Sequence, residues 1–223
     1  MSDTWQEIGT GGVPGTGFPA VTTVRDALHD RIPLSTPEIA IIGTPPFLRL
    51  DRIQQLGFVS RVWPGAKHAR YDHSLGVMHL ARLAIDHLRN APGGEWINPE
   101  DARVIVAAAL LHDIGHYPFY HAVEELGAPV TPHEQVGASI VEGPVIAPIL
   151  VNQWRIDPAR VAAMIDPKGR KLLDRDRILR GILSGPLDMD KLDYLPRDAR
   201  GCNVPYGGVD TPRLIDALQI GEA

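Results

Sequence analysis

The segment Asn98-Pro99-Glu100-Asp101-Ala102-Arg103-Val104-Ile105-Val106-Ala107-Ala108-Ala109-Leu110-Leu111-His112-Asp113-Ile114-Gly115-His116-Tyr117-Pro118-Phe119-Tyr120-His121 decides how this chain is read. Asn98 is an N-cap residue, Pro99 suits the first helical position, and Glu100 and Asp101 set negative charge against the helix dipole. Val104 to Leu111 is an unbroken apolar run, and Gly115 closes it. A buried helix thus ends on a His-Asp pair, with His116 and His121 close behind. All but His29 of the 9 histidines fall between His68 and His133. Each buried ring nitrogen needs a partner, so packing alone is a costly reason to crowd imidazoles, and a metal site accounts for them directly.

Working outward, His73 to Leu88 sets Val77, Leu80, Ala84 and Leu88 on the face of His73, the period of an amphipathic helix. Thr131-Pro132-His133-Glu134, Asp157-Pro158 and Thr211-Pro212 repeat the cap-then-proline device and predict three more helix starts. Strand-like alternation is scarce, with Phe58 to Trp63 the one moderate stretch. The fold class expected is all-α, a bundle with a metal site in its core and little or no strand. Met1 to Gly17 carries five glycines and little periodicity. The organisation expected is an N-terminal arm over residues 1–38, a catalytic core over 39–215 and a tail over 216–223.

The bulk properties set limits. A chain of 223 residues with 44% hydrophobic and 22% charged residues suits one soluble globular domain. A net charge of −5 provides no basic field for nucleic acid or anionic lipid, so an anionic substrate needs metal ions and a few placed cations. The single cysteine, Cys202, excludes an internal disulfide and suits a reducing cytoplasm. No signal peptide or bilayer-length apolar run is visible.

Phosphate-ester chemistry on a metal needs imidazole and carboxylate ligands that leave coordination positions open. His112 and Asp113 point roughly 100° apart on a regular helix, so both face one ion only near the helix end, where Gly115 lets the chain turn. Two further ligands must come from elsewhere. His73, in Arg70-Tyr71-Asp72-His73-Ser74-Leu75-Gly76, and Asp190, in Asp188-Met189-Asp190-Lys191-Leu192-Asp193-Tyr194, are the candidates; Asp188 and Asp193 compete with Asp190.

This order of His, His-Asp and distal Asp resembles the HD-domain metal-dependent phosphohydrolases. Phe47 to Leu50, Gln55-Leu56-Gly57, Pro64-Gly65-Ala66, Arg70 to Gly76, His112 to His121 and Asp188 to Asp198 are similar to the deoxynucleoside triphosphate triphosphohydrolase branch, in the style of the SAM-and-HD-domain enzymes. The resemblance covers about residues 39 to 215. It implies His73, His112, Asp113 and Asp190 as metal ligands for iron, manganese, cobalt, nickel, zinc or magnesium. A second magnesium or manganese would bridge Asp113 and the phosphates. It implies His121 beside the scissile phosphate, in a proton network with His133 and Glu134. Arg70 and Lys191 would hold the polyphosphate, Tyr194 and Asp198 the sugar hydroxyl, and Gln55 and Leu56 the base and sugar. His116 either lines the cleft or packs. Glu134 has a second reading, as the far end of a capping box with Thr131.

Two departures from the resemblance stand out. The larger members continue past the distal aspartate with a further lobe, so this chain is expected to be a minimal core or a fragment. Gly43 and Asp51 stand where the nucleotide-controlled branch has an acid and an arginine, which predicts an unregulated enzyme. The expected activity is hydrolysis of a nucleoside triphosphate, chiefly a deoxynucleotide, to nucleoside and triphosphate. The alternatives are a stepwise nucleotide phosphatase releasing orthophosphate, and a decayed nucleotide-binding module. A cytoplasmic protein acting on nucleotides is expected, with no membrane or nucleic-acid partner and with homo-oligomers as the default.

Overall fold

A computed structural model describes residues 12–124, 127 and 129–221, the side chains of His121 and Glu124 excepted. The first elements are strands. β1 (Ala20–Asp26) and β2 (Asp30–Ser35) form an antiparallel hairpin in which Val24 faces Ile32 and Asp26 faces Asp30. Asp30 takes a left-handed φ of 58° at the turn, a conformation Asp tolerates better than most residues. Ile32 and Leu34 point into the core while Arg31 is exposed, a period-2 pattern confined to one short strand that also contains Pro33. The strand expected over Phe58 to Trp63 is absent: Gly57–Arg61 is a 3-10 helix. Gly57 enters it at φ +53°, so the chain cannot run extended there.

Helices supply the rest. α1 (Thr36–Ile42) follows the hairpin directly, its start closed by Ser35, whose backbone N–H donates to Glu38 at 2.7 Å. α2 (Pro45–Leu48) is a single turn, and α3 (Arg70–Asn90) is the longest helix. α4 (Pro99–Leu111) begins as its sequence implies, with Asn98 Oδ1 accepting from the Glu100 and Asp101 amides. It ends at Leu111, before Gly115, and residues 112–115 form the closing turn. Every residue from Val104 to Leu111 is fully buried, so α4 is the axis of the core, packed between α3 and the later helices.

α5 (Tyr120–Glu124) and α6 (His133–Val141) follow, then α7 (Ala147–Ile149), which runs into a π turn that ends at Trp154. α8 (Pro158–Ile165) is capped by Asp157, and α9 (Asp174–Arg180) lies against α4. α10 (Met189–Cys202) crosses α3, and α11 (Thr211–Asp216) closes the described chain. Two helix starts differ from expectation by one residue. Pro132, not Thr131, occupies the cap of α6, and Asp210, not Thr211, caps α11 by accepting from the Arg213 amide. Among the described residues no helix is long and apolar enough to cross a membrane.

Candidate metal centre

Three helices and one turn converge on a cleft of roughly 510 Å³. The first turn of α3 brings Arg70 and His73, and the turn after α4 brings His112, Asp113 and His116. His133 and Glu134 open α6, while Asp190 sits in the first turn of α10. The turn after α4 holds its shape because Arg49 donates to the His116 and Ile114 carbonyls at 2.6 and 2.7 Å. Gly115 lets α6 approach, since a Cβ there would overlap the His133 carbonyl and the Gly137 amide.

His73 Nε2 lies 3.0 Å from Asp190 Oδ1 and 3.8 Å from Asp113 Oδ2. His112 Nε2 lies 3.3 Å from Asp113 Oδ1 and 3.8 Å from Asp190 Oδ1. One ligand atom from each of His73, His112 and Asp190 falls within 4.8 Å of the others, and Asp113, His116 and His133 form a second such group. The other ring nitrogens are engaged: His112 Nδ1 donates to the Ala109 carbonyl at 2.8 Å, and His73 Nδ1 to Asp193 at 2.8 Å. Each Nε2 therefore faces the carboxylates, the orientation that metal-bound histidines take.

The donor set fits a divalent cation. The His112 Nε2 atom is buried and hydrogen-bonds to nothing, and His116 Nδ1, although 3.1 Å from Asp113, is misaligned for a hydrogen bond. Burial works against a charged His73, yet bonds to Asp190 and Asp193 and the charge of Asp113 raise its pKa to about 10. Burial likewise works against an ionised Asp113, but His112, His116 and Arg70 hold it well below the usual carboxylate range. Carboxylates this strongly ionised around imidazoles are a cation-binding field.

The remaining residues singled out in the sequence are distributed as follows. Arg70 lines the cleft, with its guanidinium 2.6 Å from Asp113. Gln55, Leu56, Tyr194 and Asp198 also line it; α10 continues through Pro196, which keeps Tyr194 and Asp198 on the side of Asp190. Lys191 does not reach the cleft: its ammonium contacts Asp188 at 2.6 Å and the Gly185 carbonyl at 2.9 Å. The His116 and His133 rings lie with centres 3.8 Å apart, tilted by 44°. Glu134 lies 3.3 Å from His133 Nδ1 without a hydrogen bond between them, and since Thr131 is not the cap, the capping-box reading does not hold. The His121 side chain lies outside the described residues. Arg49 and His68, which bonds Asp198 at 2.7 Å, were not legible as contributors, because their partners lie far away in sequence; Asp193, a competitor of Asp190 in the sequence, instead accepts from His73 Nδ1.

The HD domain family model matches residues 70–179. An uncharacterized protein of Methanocaldococcus jannaschii is 33% identical over 200 residues, covering 90% of this chain and 38% of that protein. The deoxynucleoside triphosphate triphosphohydrolase SAMHD1 of Homo sapiens is 31% identical over 229 residues, covering 89% of this chain and 36% of that protein. Among solved structures, a hypothetical protein from Aquifex aeolicus superposes with a TM-score of 0.75 at 30% identity, covering 90% of this chain and 52% of its own. The chain therefore spans less than two fifths of the length of these two curated relatives. With the His, His-Asp and Asp set gathered in one cleft, the chain belongs to the HD-domain family.

Proposed function

We propose that this chain is a metal-dependent phosphohydrolase that converts deoxynucleoside triphosphates to nucleoside and triphosphate. The observation that carries the reading is the pair of metal-competent clusters on one cleft wall, with Asp113 in one of them and within 3.3 to 3.8 Å of the imidazoles of the other. The substrate class is supported by the 31% identity to a deoxynucleoside triphosphate triphosphohydrolase.

His73, His112, Asp113 and Asp190 would hold the first ion, and manganese, iron and the other divalent metals of nitrogen-and-oxygen sites suit them. A divalent ion bound there supplies charge neutralisation of the phosphates and a more acidic water. The protein's own groups do the rest. Arg70, fixed by Asp113, presents positive charge to the phosphates. Burial lowers the basicity of His116, and that of His133 to about 3, so both rings are uncharged at neutral pH. A bound polyphosphate would raise that basicity, coupling proton acceptance to substrate arrival. His121 is assigned to the same proton network with His133 and Glu134. Tyr194 and Asp198 are assigned to the sugar hydroxyl, where a lost hydrogen bond discriminates sharply.

The engagement of Lys191 by Asp188 favours one second reading. Arg70 is then the cation of the cleft lining, among the described residues, and a triphosphate tail is less firmly seated. A stepwise phosphatase that releases orthophosphate needs less cationic support. Product analysis with the four deoxynucleoside triphosphates and Mn²⁺, beside Asp113→Ala, separates the two. Intact tripolyphosphate, absent with the variant, is the expected result. Orthophosphate with diphosphate products would replace it with the stepwise reading, and no product from the wild type would overturn both.

A further inference from the structure

The hairpin and the metal cleft are joined by one buried carboxylate. Asp193, fully buried on α10, accepts from His73 Nδ1 at 2.8 Å through Oδ2 and from His29 Nε2 at 2.7 Å through Oδ1. Arg197, one helical turn on, adds its Nε to Oδ2 at 2.8 Å and its Nη2 to Oδ1 at 2.9 Å. The four acceptor sites of the carboxylate are thus filled.

Arg197 grips Asp193 with two prongs while sharing its single positive charge with Asp26. What His29 adds is a second anchor on Oδ1, which sets the angle at which Oδ2 meets the His73 ring. The hairpin turn is built to deliver it. Asp26 Oδ1 accepts from the Leu28 and His29 amides at 2.8 Å each, an Asx-type turn that orients the segment carrying His29. The same Asp26 receives Arg197 at 2.8 and 3.2 Å. One carboxylate therefore fixes both the turn that supplies His29 and the arginine that orients Asp193. Gly76 completes the arrangement, since a Cβ at that position of α3 would overlap Asp193 Oδ1.

We propose that His29 and Asp193 are positioning residues for His73, so that the β1–β2 turn governs how His73 presents Nε2 to the cation. This rests on the metal-dependent reading above, but the orientation of His73 can be read without metal. Partners of this kind behind a ligand are worth about ten- to a hundredfold in metal affinity.

The test compares wild type, His29→Ala, His29→Gln and the hairpin control Asp30→Gly, all as the full chain. The control alters an exposed turn residue that does not touch Asp193. The first readout is the His73 Nδ1 proton in metal-free protein by proton–nitrogen NMR, assigned with His73→Gln. A short bond to a buried carboxylate shifts this proton downfield and slows its exchange. The second readout is Mn²⁺ affinity by calorimetry. Wild type and Asp30→Gly are expected to keep both the signal and the affinity. In His29→Ala the signal broadens or moves upfield and affinity falls about tenfold, with partial recovery in His29→Gln. An unchanged signal and affinity in His29→Ala, whatever its melting temperature, would overturn the proposal. If His29→Ala does not fold, a wild-type-like signal and affinity in a variant that removes the ring donor by His29→Leu overturns it equally. A His29-dependent signal in a protein that binds no Mn²⁺ would remove the metal reading and leave the positioning of His73 standing.

Discussion

At the residue scale, His112 caps α4 with still-helical φ and ψ of −56° and −38°, and Asp113 follows it in the closing turn, so the adjacent pair sits where the chain leaves the helix. Asp113→Ala is expected to lower Mn²⁺-dependent hydrolysis by more than about a hundredfold, beyond the loss typical of outer partners, as measured by product release. A histidine outside the cleft makes a different prediction. Burial, with the nearby charges of His29 and Arg82, lowers the His79 pKa from 6.5 to about 4. Between these values the unfolded chain binds more protons than the folded one. The stability due to neutral His79 is therefore complete above pH 6.5 and is lost as the pH falls toward 4. Urea melts at pH 7 and pH 5 should show a smaller drop for His79→Gln than for wild type. That His112 and Asp113 close a buried helix was legible from residue type and order. The surroundings of Glu134 were not, since a capping box and a histidine neighbour look alike until the start of α6 is located.

At the element scale, α4, α8 and α9 are locked together by a cluster of charges. Arg160 of α8 reaches Glu100 of α4 at 3.2 Å and Asp176 of α9 at 2.5 Å, and also bonds Asp101 of α4. Asp101 and Asp176 are fully buried. Arg160→Ala leaves the Asp176 carboxylate without its partner, which costs about 3–5 kcal/mol and should lower the melting temperature by about 10 °C in a thermal scan. The caps Asn98 and Asp157 were legible because a cap interacts within three residues of itself. The Arg160 cluster was not, because its partners lie 16 to 60 residues away and nothing local marks them.

At the scale of the whole molecule, the hairpin and α1 attach to α3 through Glu38 and Arg82. Both side chains are fully buried, with a closest approach of 2.6 Å. Arg82 also donates to the Pro33 carbonyl of β2 at 2.7 Å. Glu38→Ala strands a guanidinium in the core and is expected to cost about 3–5 kcal/mol, and Glu38→Leu with Arg82→Met should recover part of it. Denaturant titrations of the two variants check both statements. By itself the sequence determined the helical class, the buried α4 axis and the cap positions of α4 and α8, which follow from periodicity and from capping chemistry that acts over a few residues. The set His73, His112, Asp113 and Asp190 came from the resemblance to HD-domain enzymes, because residue type alone left Asp188 and Asp193 competing with Asp190. Only the tertiary structure decided that residues 20–35 form a hairpin, that Lys191 turns away to Asp188, and that His29 and Asp193 stand behind His73. Each of these depends on which distant groups compete for a carboxylate or a buried surface, and that competition exists only once the chain has closed on itself.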